Sequence, residues 1–95
     1  MRFEWDSTKD EANRMKHGLG FAEAKALFES DSDFFELYDE QHSDSEERFI
    51  AIGPIARGVV VVVWTERSDG TIRLISARFA VKHEQEIYRK YMEAT

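Results

Sequence analysis

The residues of this sequence best suited to chemistry include a histidine beside a lysine. Lys16 and His17 stand just before Gly18, where a predicted helix ends. Imidazole titrates near neutral pH, so His17 can take or give a proton while Lys16 supplies a neighbouring positive charge. Alternatively, a histidine at this position has no catalytic role and interacts with the last carbonyl groups of the helix. The sequence leaves both interpretations open.

Arginines at the ends of predicted strands form the second candidate group. Arg48, Arg67 and Arg78 each lie at such an end. The planar guanidinium group matches phosphate oxygens, so these arginines are candidate phosphate ligands whose side chains can converge. A surface ion pair with one of the many carboxylates is the alternative for each. Strand alternation places Ser76 on the same face as Arg78, opposite the apolar residues of the last strand.

Metal and cofactor sites are not expected. The chain has no cysteine, and His17, His42 and His83 stand far apart in the sequence without a metal-ligand spacing. It also has no glycine-rich phosphate loop and no nucleophile elbow. We therefore predict no metal and no nucleotide cofactor.

Charge is divided unevenly along the chain. Residues 1–47 hold 14 acids and 5 Lys or Arg (−9), and residues 48–95 hold 5 acids and 8 Lys or Arg (+3), which gives −6 in total. This balance argues against a general nucleic-acid binder, although the second half can still present a basic surface. Residues 29–47 contain nine carboxylates and no Lys or Arg. This stretch is either a solvated face or a docking surface for a basic partner.

The elements that must position these residues belong to one small domain. With 95 residues there is room for a single modest core. Asp6 or Ser7 can cap a helix that runs to His17, and the spacing of apolar residues predicts a second helix over residues 21–28. No apolar run is long enough to span a bilayer, so a soluble cytoplasmic protein is expected.

From residue 34 onward the pattern becomes that of strands. Strands are predicted over residues 34–38, 48–52, 59–65 and 71–79, with turns at residues 39–45, 53–58 and 68–70. The β-branched third strand should be central. Residues 2–5 can add a short strand, and a helix after Ala80 should lay its apolar face on the sheet. The predicted class is α+β, with two N-terminal helices, a four-stranded antiparallel meander sheet and a C-terminal helix.

One set of residues also matches a known family in order and spacing. Its members are Phe3-Glu4-Trp5-Asp6, Lys9, Asn13, Lys16-His17-Gly18, Phe21, Glu23-Ala24, Phe28, Glu47-Arg48, Gly53, Thr65-Glu66-Arg67, Ile75-Ser76-Ala77-Arg78, Glu84 and Tyr88. In this pattern the chain resembles the BrnT family of ribonuclease toxins over nearly its whole length. One departure is Phe79, where many members carry a second basic residue.

The resemblance implies a RelE-like fold and a metal-independent endoribonuclease that cleaves messenger RNA and arrests growth. It also implies neutralisation by a BrnA-like antitoxin, in a heterotetramer that represses its own operon. Since the antitoxin carries the DNA-binding domain, this chain would meet DNA only indirectly. No membrane partner is implied.

RNA cleavage of this kind needs a base for the 2′-hydroxyl proton, cations for the charge on phosphorus and an acid for the departing oxygen. We expect His17 with Lys16 to provide proton transfer and charge, and Arg67 and Arg78 to grip the scissile phosphate. The residues expected to bind RNA are Arg48, Glu66, Ser76 and Trp5.

The residues also allow a different class of function. The chain can be a non-catalytic interaction module, or an inactive toxin that still binds its antitoxin. In that case the acidic surface of residues 29–47 binds a basic partner.

Overall fold

A five-stranded sheet with helices on both faces forms the computed structural model, which describes residues 1–94. In chain order the elements are β1 (Phe3–Glu4), α1 (Ser7–His17), α2 (Phe21–Ala24), α3 (Ala26–Glu29), β2 (Phe35–Tyr38), a 3-10 turn (Glu40–His42), β3 (Phe49–Ile55), β4 (Gly58–Glu66), β5 (Ile72–Phe79) and α4 (Lys82–Ala94). The predicted α+β class is confirmed.

The sheet is mixed, and its strand order is β1-β5-β4-β3-β2. Strands β2 to β5 form the predicted antiparallel meander. However, β1 pairs in parallel with β5, through Phe3 with Ile72 and Glu4 with Arg73. The sheet is therefore mixed, whereas the sequence predicted an antiparallel sheet. The parallel pairing is possible because α1 and the following elements return the chain over the sheet. Strand β4 is central as predicted, and its Val62 is fully buried.

The N-terminal helices follow the prediction in part. Helix α1 begins where the Asp6 carboxylate accepts hydrogen bonds from the N–H groups of Thr8 and Lys9, at 2.8 and 3.0 Å. It ends at Gly18, which has a φ of 69° that favours glycine. The predicted second helix is instead two single-turn helices, α2 and α3, which meet at Lys25.

One side chain holds α1 against the open edge of β5. Asn13 is buried, and its Nδ2 donates to the carbonyl oxygens of Ala77 at 2.6 Å and Leu19 at 2.8 Å. Its Oδ1 accepts from the N–H of Ala77 at 3.2 Å. Because β1 covers only the start of β5, the Asn13 amide satisfies backbone groups that a neighbouring strand would otherwise pair.

Each face of the sheet has its own core. The face under α2 and α3, here called the helix-layer face, buries Leu19, Phe21, Ala24, Leu27, Ala51, Val60, Val62, Trp64, Ile72, Leu74 and Ala77. The opposite face, here called the α4 face, buries Ile52 and Val61 against Ile87 and Tyr88 of α4. The predicted packing of the C-terminal helix on the sheet is therefore confirmed.

Gly53 and Pro54 lie inside β3, not in the hairpin loop that the sequence predicted. Strand β3 continues to Ile55, and the turn to β4 falls at Ala56 and Arg57. Strand β2 pairs with β3 only as far as Ile52, so the missing N–H of Pro54 costs no hydrogen bond on that side.

Gly53 lies too close to its neighbours for a side chain. A Cβ at this position would stand 2.6 Å from Cδ1 of Leu27 and from Cβ of Phe34. Gly53→Ala is therefore expected to lower the free energy of unfolding by about 1–3 kcal/mol, because the core must shift to admit the methyl group. Urea unfolding measures this loss, with the exposed Ser45→Ala as a control. An unchanged unfolding midpoint in Gly53→Ala would contradict the close packing.

Candidate functional site

Polar side chains of β5 project from the α4 face. Ser76 pairs with Val63 and Arg78 pairs with Val61, and directly opposed residues in a sheet point to the same face. Since Val61 packs under α4, Ser76 and Arg78 lie on the α4 face. Their predicted position on one face, away from Ala77, is confirmed.

A third polar residue, Arg73, joins this face through an irregularity in β5. Val63 pairs with Ser76 but the next residue, Trp64, pairs with Leu74, which leaves Ile75 as an extra residue. The extra residue reverses the alternation, so that Arg73 rather than Leu74 shares the face of Ser76. We call Arg73, Ser76 and Arg78 the polar row. The sequence carries no evident signal for this bulge, and Arg73 was missed for that reason.

Arg78 is held in place by Glu84 in the first turn of α4. Nη1 and Nη2 of Arg78 donate to Oε1 and Oε2 of Glu84, both at 2.7 Å. Oε1 also accepts from the N–H of Val81 at 2.9 Å. The hydrogen bonds from Arg78 hold the pKa of Glu84 below its ordinary value, and Glu84 raises the pKa of Arg78, so both stay charged near neutral pH.

The ion pair with Glu84 leaves part of the Arg78 guanidinium available. A guanidinium group has five N–H donors, and Nη1 makes only one further contact, with the Phe79 carbonyl at 3.4 Å. Nε and the remaining hydrogen of Nη2 have no partner among the described residues. Together they form a second fork of the shape that binds two oxygens of a phosphate.

Two arginines share Glu4 at the other end of the polar row. Nη1 of Arg73 donates to Oε2 of Glu4 at 2.6 Å, and Nη2 of Arg67 donates to the same oxygen at 3.3 Å. The hydrogen bond from Arg73, with a smaller contribution from Arg67, lowers the pKa of Glu4. One carboxylate between two guanidinium groups leaves a net positive charge, and Glu4 brings Arg67 to the α4 face although Arg67 lies beyond β4.

Arg67 and Arg78 do not stand side by side. In the antiparallel pair, Glu66 at the end of β4 is opposite Ile72, whereas Arg78 is opposite Val61. Five positions along β4 separate these levels, which is about 17 Å at the rise of a strand. The two side chains therefore do not converge as expected. Arg67 lies at one end of the polar row and Arg78 at the other.

His17 lies on the inward flank of α1. It follows Asn13 by one helical turn and Asp10 by two turns, and both of those side chains bond to the body of the protein. His17 is half-buried. Among the described residues, no hydrogen bond or ion pair joins His17 to Arg67 or Arg78.

Lys16 is directed differently from its neighbour. The aliphatic part of Arg14 lies against Gly20, so Arg14 marks the flank of α1 that faces α2. Helical geometry puts Lys9 and Lys16 on the opposite flank, away from α2. Lys16 is exposed there.

The remaining predicted residues divide between the two faces. Arg48 continues the β2–β3 ladder, since its carbonyl accepts from the N–H of Asp39 at 2.8 Å, and alternation with Phe49 turns it to the α4 face. Its Nε is buried and has no hydrogen-bond partner within residues 1–94. Trp5 packs edge-on against Phe21, with ring centroids 6.1 Å apart, and Glu66 is exposed at the end of β4.

Apolar side chains lie beside the polar row on the α4 face. Leu37, Ile50, Val63 and Ser76 are aligned across four neighbouring strands. Ile50 and Val63 are half-buried and Leu37 is 39% exposed, so this line is only partly covered. We call Leu37, Ile50 and Val63 the apolar row.

The strand order separates the acidic segment from the polar row. Residues 29–47 contain β2 and the 3-10 turn, which lie at the edge of the sheet opposite β1. Strand β5 is three strands away from β2, about 14 Å at the usual spacing. A chain with a net charge of −6 therefore still presents a cationic surface at one edge.

A second concave region is acidic. An open cleft of about 600 Å³ at the ends of β3 and β4 is lined by Glu46, Glu47, Phe49, Thr65, Glu66, Arg67 and Ser68. Three carboxylates against one arginine repel a phosphate, so this cleft does not suit a nucleic acid. Within residues 1–94 no group of three His, Asp or Glu side chains could hold a metal ion. No helix in that range is both long and apolar enough to cross a membrane.

Comparisons with known proteins agree on one family. Residues 5–84 match the family model described as the ribonuclease toxin, BrnT, of type II toxin–antitoxin systems. The 1.1 Å crystal structure of the Brucella abortus ribonuclease toxin BrnT is similar, with a TM-score of 0.65 and 27% identity over 86% of this chain and 99% of that chain. No curated protein matches the chain. The whole polar row and Glu84 fall within the matched residues.

Proposed function

Since this chain belongs to the BrnT family of type II toxin–antitoxin ribonuclease toxins, we propose that it is a metal-independent endoribonuclease that cleaves RNA and so arrests growth. The observation that carries this proposal is the polar row, where arginines with unused donors line an open sheet face. We further propose that the sheet and α4 correspond to a RelE-like ribonuclease scaffold.

In this proposal Arg78 binds the scissile phosphate through its free Nε and Nη2 fork. A guanidinium group in this position stabilises the negative charge that develops on the phosphate oxygens during attack by the 2′-oxygen. Glu84 fixes the orientation of Arg78, so little reorganisation is needed when the substrate binds. Ser76 is the adjacent polar group and can donate a hydrogen bond to the same nucleotide.

The other cations bind the flanking phosphates. Arg73 lies opposite Thr65 and Arg78 opposite Val61, four positions apart and thus about 13 Å along the strand. Arg67 strengthens the Arg73 end. Spacing of this kind suits an extended strand better than a single phosphate.

The substrate class that fits this face is single-stranded RNA. The apolar row lies beside the arginines and offers a surface for unpaired bases, whereas a duplex would keep its bases stacked inside. Arg48 closes the far side of the face, and a phosphate oxygen would satisfy its buried Nε. Trp5 and Glu66 have no place in this proposal, because neither belongs to the α4 face.

Membership of a type II system implies an antitoxin partner. We propose that a BrnA-like antitoxin covers the α4 face and excludes RNA. The two proteins would form a heterotetramer, and this chain would contact DNA only indirectly, through the antitoxin. The half-exposed apolar row supports that position, because apolar surface is the usual centre of a stable protein interface. We propose the cytoplasm as the site of this activity, because the proposed substrate is RNA.

Incubation of the pure protein with single-stranded RNA in EDTA tests the proposal. We expect cleavage that leaves 2′,3′-cyclic phosphate and 5′-hydroxyl ends, since the 2′-oxygen attacks phosphorus and the bond to the 5′-oxygen breaks. The same RNA in a duplex should be cut much more slowly. Absence of cleavage with EDTA and with added Mg²⁺ would instead favour a non-catalytic module that binds a basic partner through residues 29–47.

A further inference from the structure

The polar row lacks a group that can donate a proton near neutral pH. Arginines keep their protons far above pH 7, and Glu4 and Glu84 have lowered pKa values, so they are ionised and can only accept. The departing 5′-oxygen of RNA needs a proton, because an alkoxide is a poor leaving group. A ribonuclease that uses this face therefore needs a further residue as the acid.

Of the three histidines, His83 is the one that directly precedes Glu84, the residue bonded to Arg78. His17 lies on the inward flank of α1, and His42 lies in the 3-10 turn, where its Nδ1 bonds to Asp39 at 2.9 Å. His83 is exposed in the first turn of α4, directly before Glu84. We propose that His83 is the general acid of the ribonuclease, an inference that rests on the function proposed above.

The packing of α4 directs His83 towards the polar row. Ile87 and Tyr88 face the sheet. One flank of the helix borders a groove of about 430 Å³ on the side of Val59, near the start of β4; its helical lining is Lys82, Gln85, Glu86, Tyr88, Arg89 and Met92. His83 precedes Ile87 by one turn and so lies on the other flank, the flank that borders the rows of Ser76 and Val63.

Glu84, the neighbour of His83, holds the start of α4 close to the proposed phosphate site. Glu84 bonds to Arg78 at 2.7 Å, so the first turn of α4 stands beside the guanidinium group that would hold the phosphate. The imidazole makes no hydrogen bond or ion pair with the described residues. Glu84 lies within electrostatic reach of the imidazole, and Arg78 donates two hydrogen bonds to Glu84.

In the proposed step the 2′-oxygen attacks phosphorus, its proton passes to water, and the bond from phosphorus to the 5′-oxygen breaks. The imidazolium of His83 gives its proton to the 5′-oxygen, and the products are a 2′,3′-cyclic phosphate and a 5′-hydroxyl. The neutral imidazole regains a proton from solvent. No oxidant, metal or cofactor is required to balance this step.

The test compares His83→Ala with the parent protein on two substrates. On RNA, kcat is expected to fall by about 10²-fold, within the usual range for general acids. On uridine 3′-(4-nitrophenyl phosphate), whose leaving group needs no proton, the two proteins should have similar rates.

His42→Ala is the matched control and should behave as the parent on both substrates. Equal rates of His83→Ala and parent on RNA would overturn the assignment, as would an equal loss on both substrates. In either case the ribonuclease itself would stand, because the parent would still cleave RNA. A parent inactive on both substrates would overturn the proposed function and this assignment with it.

Discussion

Arg78→Ala is expected to lower kcat/KM for RNA cleavage by about 10²–10³-fold, the usual effect of removing one group that stabilises transition-state charge. Arg78 is the one arginine of the polar row that donates two hydrogen bonds to a partly buried carboxylate, which fixes its orientation. Cleavage of a single-stranded RNA under EDTA measures the effect. Circular dichroism and thermal unfolding of the same sample show whether the fold persists.

Two further variants separate charge from geometry. Arg78→Lys keeps a positive charge but loses the planar fork, and we expect it to remain at least tenfold below the parent. Arg89→Ala removes another arginine that makes ion pairs, with Glu86 and Glu93 on the outer surface of α4, and should leave cleavage unchanged. Parent-like cleavage by a folded Arg78→Ala protein would refute the role given to the polar row.

Asn13→Ala is expected to cause the largest loss of stability, about 2–4 kcal/mol, because it leaves buried backbone groups of Ala77 and Leu19 without partners. For a domain of this size the midpoint of thermal unfolding would fall on the order of 10–20 °C. Asn13→Asp should be at least as harmful, since a carboxylate cannot donate to two carbonyl oxygens and would be buried with its charge.

Glu11→Ala is the appropriate comparison for Asn13, because Glu11 lies on an exposed position of the same helix. Its unfolding midpoint should stay within about 2 °C of the parent, as is usual for surface positions. If Asn13→Ala were as stable as Glu11→Ala, the amide would not be what holds α1 to β5.

Much of the local structure follows from the sequence because its signals are local. The cap at Asp6, the glycine stop at Gly18 and the run of β-branched residues in β4 predict their elements correctly. Lys25 breaks the second helix without an evident signal, and Gly53 and Pro54 look like turn residues although they lie in β3. At Gly53 the deciding fact is the approach of Leu27, a contact between distant parts of the chain.

The candidate site could be predicted only in part. Ser76 and Arg78 share a face by simple alternation, which the sequence predicts correctly. Arg73 reaches that face only because of the extra residue in β5. His17 has suitable chemistry and lies on α1, whereas the residue that contacts Arg78 is Glu84 of α4, because a residue's type does not specify where its helix packs.

The sequence by itself determined most of the helices and strands, the central position of β4 and the family, because caps, periodicity and motif spacing are properties of neighbouring residues. Tertiary structure alone decided which cations act together. Register and strand order place Arg73 and Arg78 on one face, bring Arg67 to it through Glu4, and move the acidic residues 29–47 to the opposite edge. Pairing between distant strands sets those distances, and no local pattern in the chain encodes them.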